Sequence, residues 1–141
     1  MTAPAPASAA DTRPPFWRAA LGALPALLID VALVVLFAGL GRGSHAREAS
    51  VLGLLETAGP FLAALALSWV LCGAARRPLA LLRTGLPVWL GTVAVGMLLR
   101  WAWGGGIALA FVIVTLVTLG VFVMGWRAIA LLVARLRRRG A

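Results

Sequence analysis

Four stretches of this chain are apolar for about the length of a membrane-crossing helix, and all but three of its charges lie outside them. The stretches are 21–40 (LGALPALLIDVALVVLFAGL), 51–72 (VLGLLETAGPFLAALALSWVLC), 84–103 (TGLPVWLGTVAVGMLLRWAW) and 107–126. A spanning helix needs roughly 20 predominantly apolar residues. In lipid a helix satisfies its own backbone groups, and spanning strands would be shorter and would alternate polar with apolar, which these runs do not. The expected fold is therefore all-α, a transmembrane four-helix bundle. The third run is the shortest between charges: 16 residues separate Arg83 from Arg100, about 24 Å of helix against a core of roughly 30 Å. Arginine can snorkel to close that gap, and the alternative is a re-entrant third run with only three spans.

Composition agrees. Hydrophobic residues make up 62% of the 141-residue chain and charged residues 12%, about half the charged share of a soluble domain. Too few polar side chains exist to cover a water-facing surface. The net charge of +9 comes wholly from arginine. These arginines sit between apolar runs and form no stripe with aromatics, so they read as topology signals and not as a nucleic-acid surface. The single cysteine, Cys72, excludes an internal disulfide and reads as a small membrane hydrophobe.

Arginine counts in the flanks set the expected orientation. Arg13, Arg18, Arg76, Arg77, Arg83, Arg127, Arg135, Arg137, Arg138 and Arg139 fall on one side, and Arg42, Arg47 and Arg100 on the other. Both termini are then cytoplasmic, with the bacterial plasma (inner) membrane as the expected location. Trp17, Trp69 and Trp126 fall near the inner interface, Trp101 and Trp103 near the outer, and Trp89 deeper. Gly104–Gly106 reads as a short outer turn that makes spans three and four antiparallel neighbours. Residues 1–20 read as a flexible cytoplasmic tail closing on a Phe16-Trp17-Arg18 anchor. The apolar run after that tail is too long for a signal-peptide core and lacks a cleavage site, so it reads as a retained span. Residues 128–141 read as a basic helix along the inner surface, where Arg135, Arg137, Arg138 and Arg139 would attract anionic lipid headgroups. A parallel two-helix repeat is also legible, "LPALLIDVA" (24–32) over "LPVWLGTVA" (86–94), with chance similarity as its rival.

The ionisable groups within the runs are the candidate sites, because a charge at mid-bilayer costs roughly 2.5–3.5 kcal/mol on the insertion scale and so turns away from lipid. Asp30 lies near the middle of span one, Glu56 about two turns into span two, and Arg100 about a turn from the end of span three. By helical rise Asp30, Thr92 and Thr118 share a layer about 12 Å deep, which predicts a hydrogen bond from Asp30 to Thr92, Thr118 or water. Pro60 cannot donate to the carbonyl of Glu56, so this level of span two holds a carboxylate and a free carbonyl. Glu56 is expected to pair with Arg100 or Arg42; the alternative is a hydrated cavity or cation site. Pro25 and Pro87 fall near span starts. Gly59-x-x-x-Ala63 and Thr92-x-x-x-Gly96 are candidate helix contacts. The loop "GLGRGSHARE" (39–48) brings Arg42 and His45 to a polar mouth above Glu56, with a solvated histidine as the plainer reading. No metal set, catalytic triad or phosphate cradle is legible, so no cofactor is expected.

Taken together, Asp30, Phe37, "GRGSH" (41–45), "PF" (60–61), Trp69, Gly85, "VWLGTVAVGMLLR" (88–100) and "GWR" (125–127) resemble the small bacterial and archaeal membrane family known as domain of unknown function 3054. The resemblance covers roughly residues 24–130. It implies that Asp30, Arg42, His45, Pro60, Trp89, Thr92, Arg100 and Arg127 are signature positions, and it implies no glutamate at the place of Glu56. It supports the fold and carries no activity. Two functions remain. One is a non-catalytic structural or interaction component of the membrane. The other is a small oligomeric transporter or channel with Asp30 and Glu56 on an ion or proton path; an intramembrane enzyme is the least supported.

Overall fold

The structure, a computed structural model, describes residues 16–43 and 50–140, with the side chains of 16–20, 42 and 43 aside. Four helices run through them: α1 (Phe16–Gly43), α2 (Val51–Leu71), α3 (Leu86–Ala102) and α4 (Leu109–Arg139). Each lies in a segment long and apolar enough to cross a membrane, and there is no strand among the described residues. The exteriors are apolar: Leu28, Leu36, Val70, Leu98, Val117 and Val121 all stand exposed. So continuous an apolar surface is untenable in water and ordinary against lipid.

Local chemistry explains where the helices begin. Ser50 caps α2, its hydroxyl accepting from the Gly53 N–H at 3.2 Å. Pro87 stands in the first turn of α3, where its missing N–H costs nothing. Pro25, by contrast, lies inside α1, which already starts at Phe16; the expected span start is not the helix start. The α2–α3 connector turns on Gly73, whose φ of 61° favours glycine, and continues through a 3₁₀ turn (Ala74–Arg76) and a π-type turn (Leu81–Gly85). Gly104, at φ 80°, closes the short turn into α4.

The fourth helix runs unbroken for 31 residues, from Leu109 to Arg139, about 46 Å, so the basic segment continues it as a helix.

α2 and α3 form the most extensive helix contact. Small residues make it close. Phe61 packs onto Gly96 and Ser68 onto Gly91, each where a Cβ would collide. Gly96 and Thr92 thus lie in a helix interface. Gly59 and Ala63 do not: nothing approaches within 4 Å of where a Gly59 Cβ would stand, and Ala63 is exposed. Phe37, Phe61 and Phe111 then join α1, α2 and α4 in an aromatic cluster, with centroids 5.5–6.3 Å apart and Phe37 edge-on to Phe61.

Candidate functional site

At the opposite level of the bundle from that cluster lies a buried ion pair. Asp30, on α1, and Arg127, on α4, are both 0% exposed. Their contact is a parallel fork: Arg127 Nη1 donates to Asp30 Oδ1 at 2.8 Å, and Nη2 to Oδ2 at 2.6 Å. This is the bidentate geometry that makes arginine–carboxylate pairs strong. Two indoles complete the carboxylate's shell. Trp69 Nε1, on α2, donates to Oδ2 at 2.9 Å, and Trp126 Nε1 donates to Oδ1 at 2.8 Å. Each carboxylate oxygen therefore accepts two hydrogen bonds, and three helices meet on one side chain.

The guanidinium is equally well held. Its Nε donates to the carbonyl of Pro78 in the α2–α3 connector at 3.0 Å, and Nη1 also donates to Val123 O at 3.0 Å. Its Cζ lies 4.6 Å from the centroid of the Trp126 ring. Gly85 makes room: a Cβ there would stand 3.1 Å from Arg127 Cδ and 2.9 Å from Met124 Sδ. The connector that supplies Pro78 is pinned in turn by Thr84, whose hydroxyl donates to Arg77 O at 2.7 Å.

Asp30 thus faces the interior, but its partners are not the expected ones. Neither Thr92 nor Thr118 touches it, and Thr92 Oγ1 is buried without a hydrogen bond. Thr115 instead bonds its own preceding turn, to Phe111 O at 2.7 Å, as Thr57 does to Gly53 O at 3.0 Å. Arg127, read as a flanking charge, is the largest fully buried side chain. The sequence carried a signal for it in the closing "GWR", where an indole and a guanidinium stand side by side after an uncharged run. Trp69 and Trp126, read as interface anchors, are donors to Asp30.

Glu56 and Arg100 come together at the other end. Both line a cavity of about 660 Å³ between the start of α2 and the end of α3, with Leu52, Pro60, Trp103 and Gly105. Glu56 is exposed, and no ion pair joins it to Arg100. Arg100 instead lays its Cζ 4.4 Å from the centroid of the Phe111 ring, with its Nε buried and without an acceptor. The side chain of Arg42, and His45 altogether, lie outside the described residues. No cluster of metal-ligating side chains exists among the described residues.

Four long apolar helices, three of them tied by a fully buried ion pair whose carboxylate accepts four hydrogen bonds, are the pattern of a helical membrane protein. The family described as protein of unknown function DUF3054 matches residues 27–130, from three residues before Asp30 to three residues after Arg127. The chain belongs to that family. No curated protein and no solved structure matches it.

Proposed function

We propose that this chain is a multi-pass protein of the bacterial plasma membrane, with both termini cytoplasmic, that acts without catalysis as a structural or interaction component. One observation carries the reading: the Asp30 carboxylate is saturated. A carboxylate on an ion or proton path must release its ligands to bind the next ion, and this one accepts four hydrogen bonds at zero exposure. Such a group holds α1, α2 and α4 in register. With Arg127 engaged in the pair, nine arginines still flank the spans on the side of the termini against three on the other, which supports the orientation. Beyond Arg127, α4 continues for twelve residues to Arg139. Its Arg135, Arg137, Arg138 and Arg139 suit the anionic headgroups of the inner leaflet.

The test is reconstitution in proteoliposomes under a pH gradient. The expected result is no proton flux attributable to Asp30, with Asp30→Asn changing stability only. Flux present in the native protein and abolished in a folded Asp30→Asn variant would refute the proposal. A second reading, a small oligomeric transporter, draws on Glu56, which stands without an ion-pair partner among the described residues, in an open groove. It requires flux that falls in Glu56→Gln.

A further inference from the structure

Glu56 and Arg100 pose a chemical question. Opposite charges that line one groove attract each other and are expected to close when nothing else holds them. Here they do not close. The guanidinium of Arg100 is held off by the Phe111 ring beneath it and by the glycine turn beside it. A Cβ at Gly105 would stand 2.7 Å from Arg100 Cγ and 3.3 Å from its Nε, so the turn fits the arginine side chain closely. Gly105 N also donates to Arg100 O at 2.9 Å, which fixes the turn to the helix end. The arginine is positioned and its Nε lacks an acceptor. Across the groove, the Glu56 carboxylate has no donor among the described residues.

We propose that this groove binds a phospholipid headgroup carrying both a phosphate and a primary ammonium, with the phosphate on Arg100 and the ammonium on Glu56. The proposal rests on the membrane reading above and goes beyond it by naming a ligand. A simple anion would satisfy Arg100 and be repelled by Glu56; a simple cation would do the reverse. A short zwitterion satisfies both. Phosphate oxygens are the natural acceptors for a guanidinium, and a primary ammonium brings three donors to a carboxylate. The volume of about 660 Å³ lies in the range of small-molecule pockets and is ample for such a headgroup.

The surroundings favour a lipid over a soluble zwitterion of the same chemistry. Leu52, Leu55 and Trp103 line the groove and are 68%, 56% and 68% exposed on the outside of the bundle, where acyl chains would lie. Glu56 stands five residues after the first residue of α2, and Arg100 two residues before the last of α3. These are about 8 Å and 3 Å of helical rise. Both charges therefore lie at headgroup depth, beside a tryptophan of the kind that marks the interface.

Native mass spectrometry of the full-length protein in detergent provides the test. The protein is titrated with phosphatidylethanolamine, phosphatidylglycerol and phosphatidylcholine of identical acyl chains, and with free phosphoethanolamine as competitor. The native protein is expected to retain phosphatidylethanolamine over the other two. Glu56→Gln is expected to abolish the preference over phosphatidylglycerol, a change of about tenfold in relative affinity, while the lipid-free protein unfolds at the native temperature. Arg100→Lys, which keeps a cation but loses the fork, is expected to weaken retention of phosphatidylethanolamine and phosphatidylglycerol alike. Equal retention of all three lipids by the native protein would overturn the proposal, as would an unchanged preference in Glu56→Gln. Destabilisation of lipid-free Glu56→Gln would also overturn it, since that outcome means the carboxylate pairs within the protein. Displacement by free phosphoethanolamine at concentrations equal to the lipid would overturn the lipid as the source. Each of these outcomes leaves the role of the Asp30–Arg127 pair untouched.

Discussion

Replacing Asp30 by Asn changes one oxygen for an amide, and the structure says what that costs. The amide keeps one acceptor oxygen and with it two of the four donors now on the carboxylate. The other position becomes an NH₂ group facing an indole N–H and a guanidinium N–H. Arg127 keeps its bonds to Pro78 O and Val123 O but loses its counter-ion at zero exposure. Removing one partner of a buried pair costs about 3–5 kcal/mol. The surviving carbonyl contacts place this case near the lower end, about 3 kcal/mol. Arg127→Gln should cost a similar amount, because it strands the carboxylate with only its two indole donors. The double variant should cost much less than the sum, with a coupling of about 2 kcal/mol, since two neutral amides no longer strand a charge. A charge swap, Asp30→Arg with Arg127→Asp, should not rescue: Trp69 and Trp126 would then present N–H groups to a cation at the Asp30 position. The assay is reversible unfolding in mixed micelles with increasing dodecyl sulfate, followed by circular dichroism. Coupling below about 0.5 kcal/mol, or a swapped protein as stable as the native one, would refute the reasoning.

Two further substitutions test the packing of α3. Thr92→Val removes a buried hydroxyl that has no hydrogen bond, so stability should hold or rise by up to about 1 kcal/mol; a loss of that size in the same unfolding assay would mean the hydroxyl has a partner. Gly120→Ala would put a Cβ 2.8 Å from the Trp89 indole, whose Nε1 donates to Leu116 O at 2.9 Å, and should cost about 1–3 kcal/mol. Gly125→Ala, with nothing within 4 Å, is the control and should be neutral or stabilising.

The helices were legible because their signal is the hydrophobic run itself, which lipid imposes directly on sequence. The inward direction of Asp30 was legible for the same reason, as a charge that lipid rejects. Its partners were not. Counting helical rise from expected membrane edges put Asp30 level with Thr92 and Thr118, but helix-to-helix offset is set by side-chain packing, which the count ignores. The actual level is Trp69, Trp126 and Arg127. Arg127 was not legible as a partner for a related reason: an arginine at the end of a 20-residue apolar run looks like a flank, and the signals against that are the adjacent indole of "GWR" and the further apolar stretch "AIALLVA" before Arg135. Glu56 and Arg100 were legible as neighbours, since both lie near the same ends of consecutive spans. Their failure to meet depends on Phe111 and Gly105, which no spacing within α2 or α3 reveals.

The apolar stretch beyond Arg127 also bears on how deep the ion pair lies. Asp30 stands twelve residues from Arg18 and twelve from Arg42, about 18 Å of helix in each direction. It is the midpoint of α1 between flanking charges. Arg127 stands eight residues before Arg135, about 12 Å inside the charged end of the same unbroken helix. The two helices give unequal distances, about 18 Å and about 12 Å, and the bond from Arg127 Nε to Pro78 O ties the pair to the α2–α3 connector, toward that end of the bundle. At zero exposure neither charge has water to fall back on, so the fork, the two indoles and the carbonyls of Pro78 and Val123 supply the compensation. α3 contributes nothing to this network. It is held by Phe61 against Gly96, by Ser68 against Gly91 and by Trp89 against α4. The bundle therefore joins α1, α2 and α4 by the ionic network at one level and the Phe37–Phe61–Phe111 cluster at another, and holds α3 by close small-residue packing. Loss of the pair should loosen α1 from α4 at its own level while leaving the aromatic cluster and the α2–α3 contact in place.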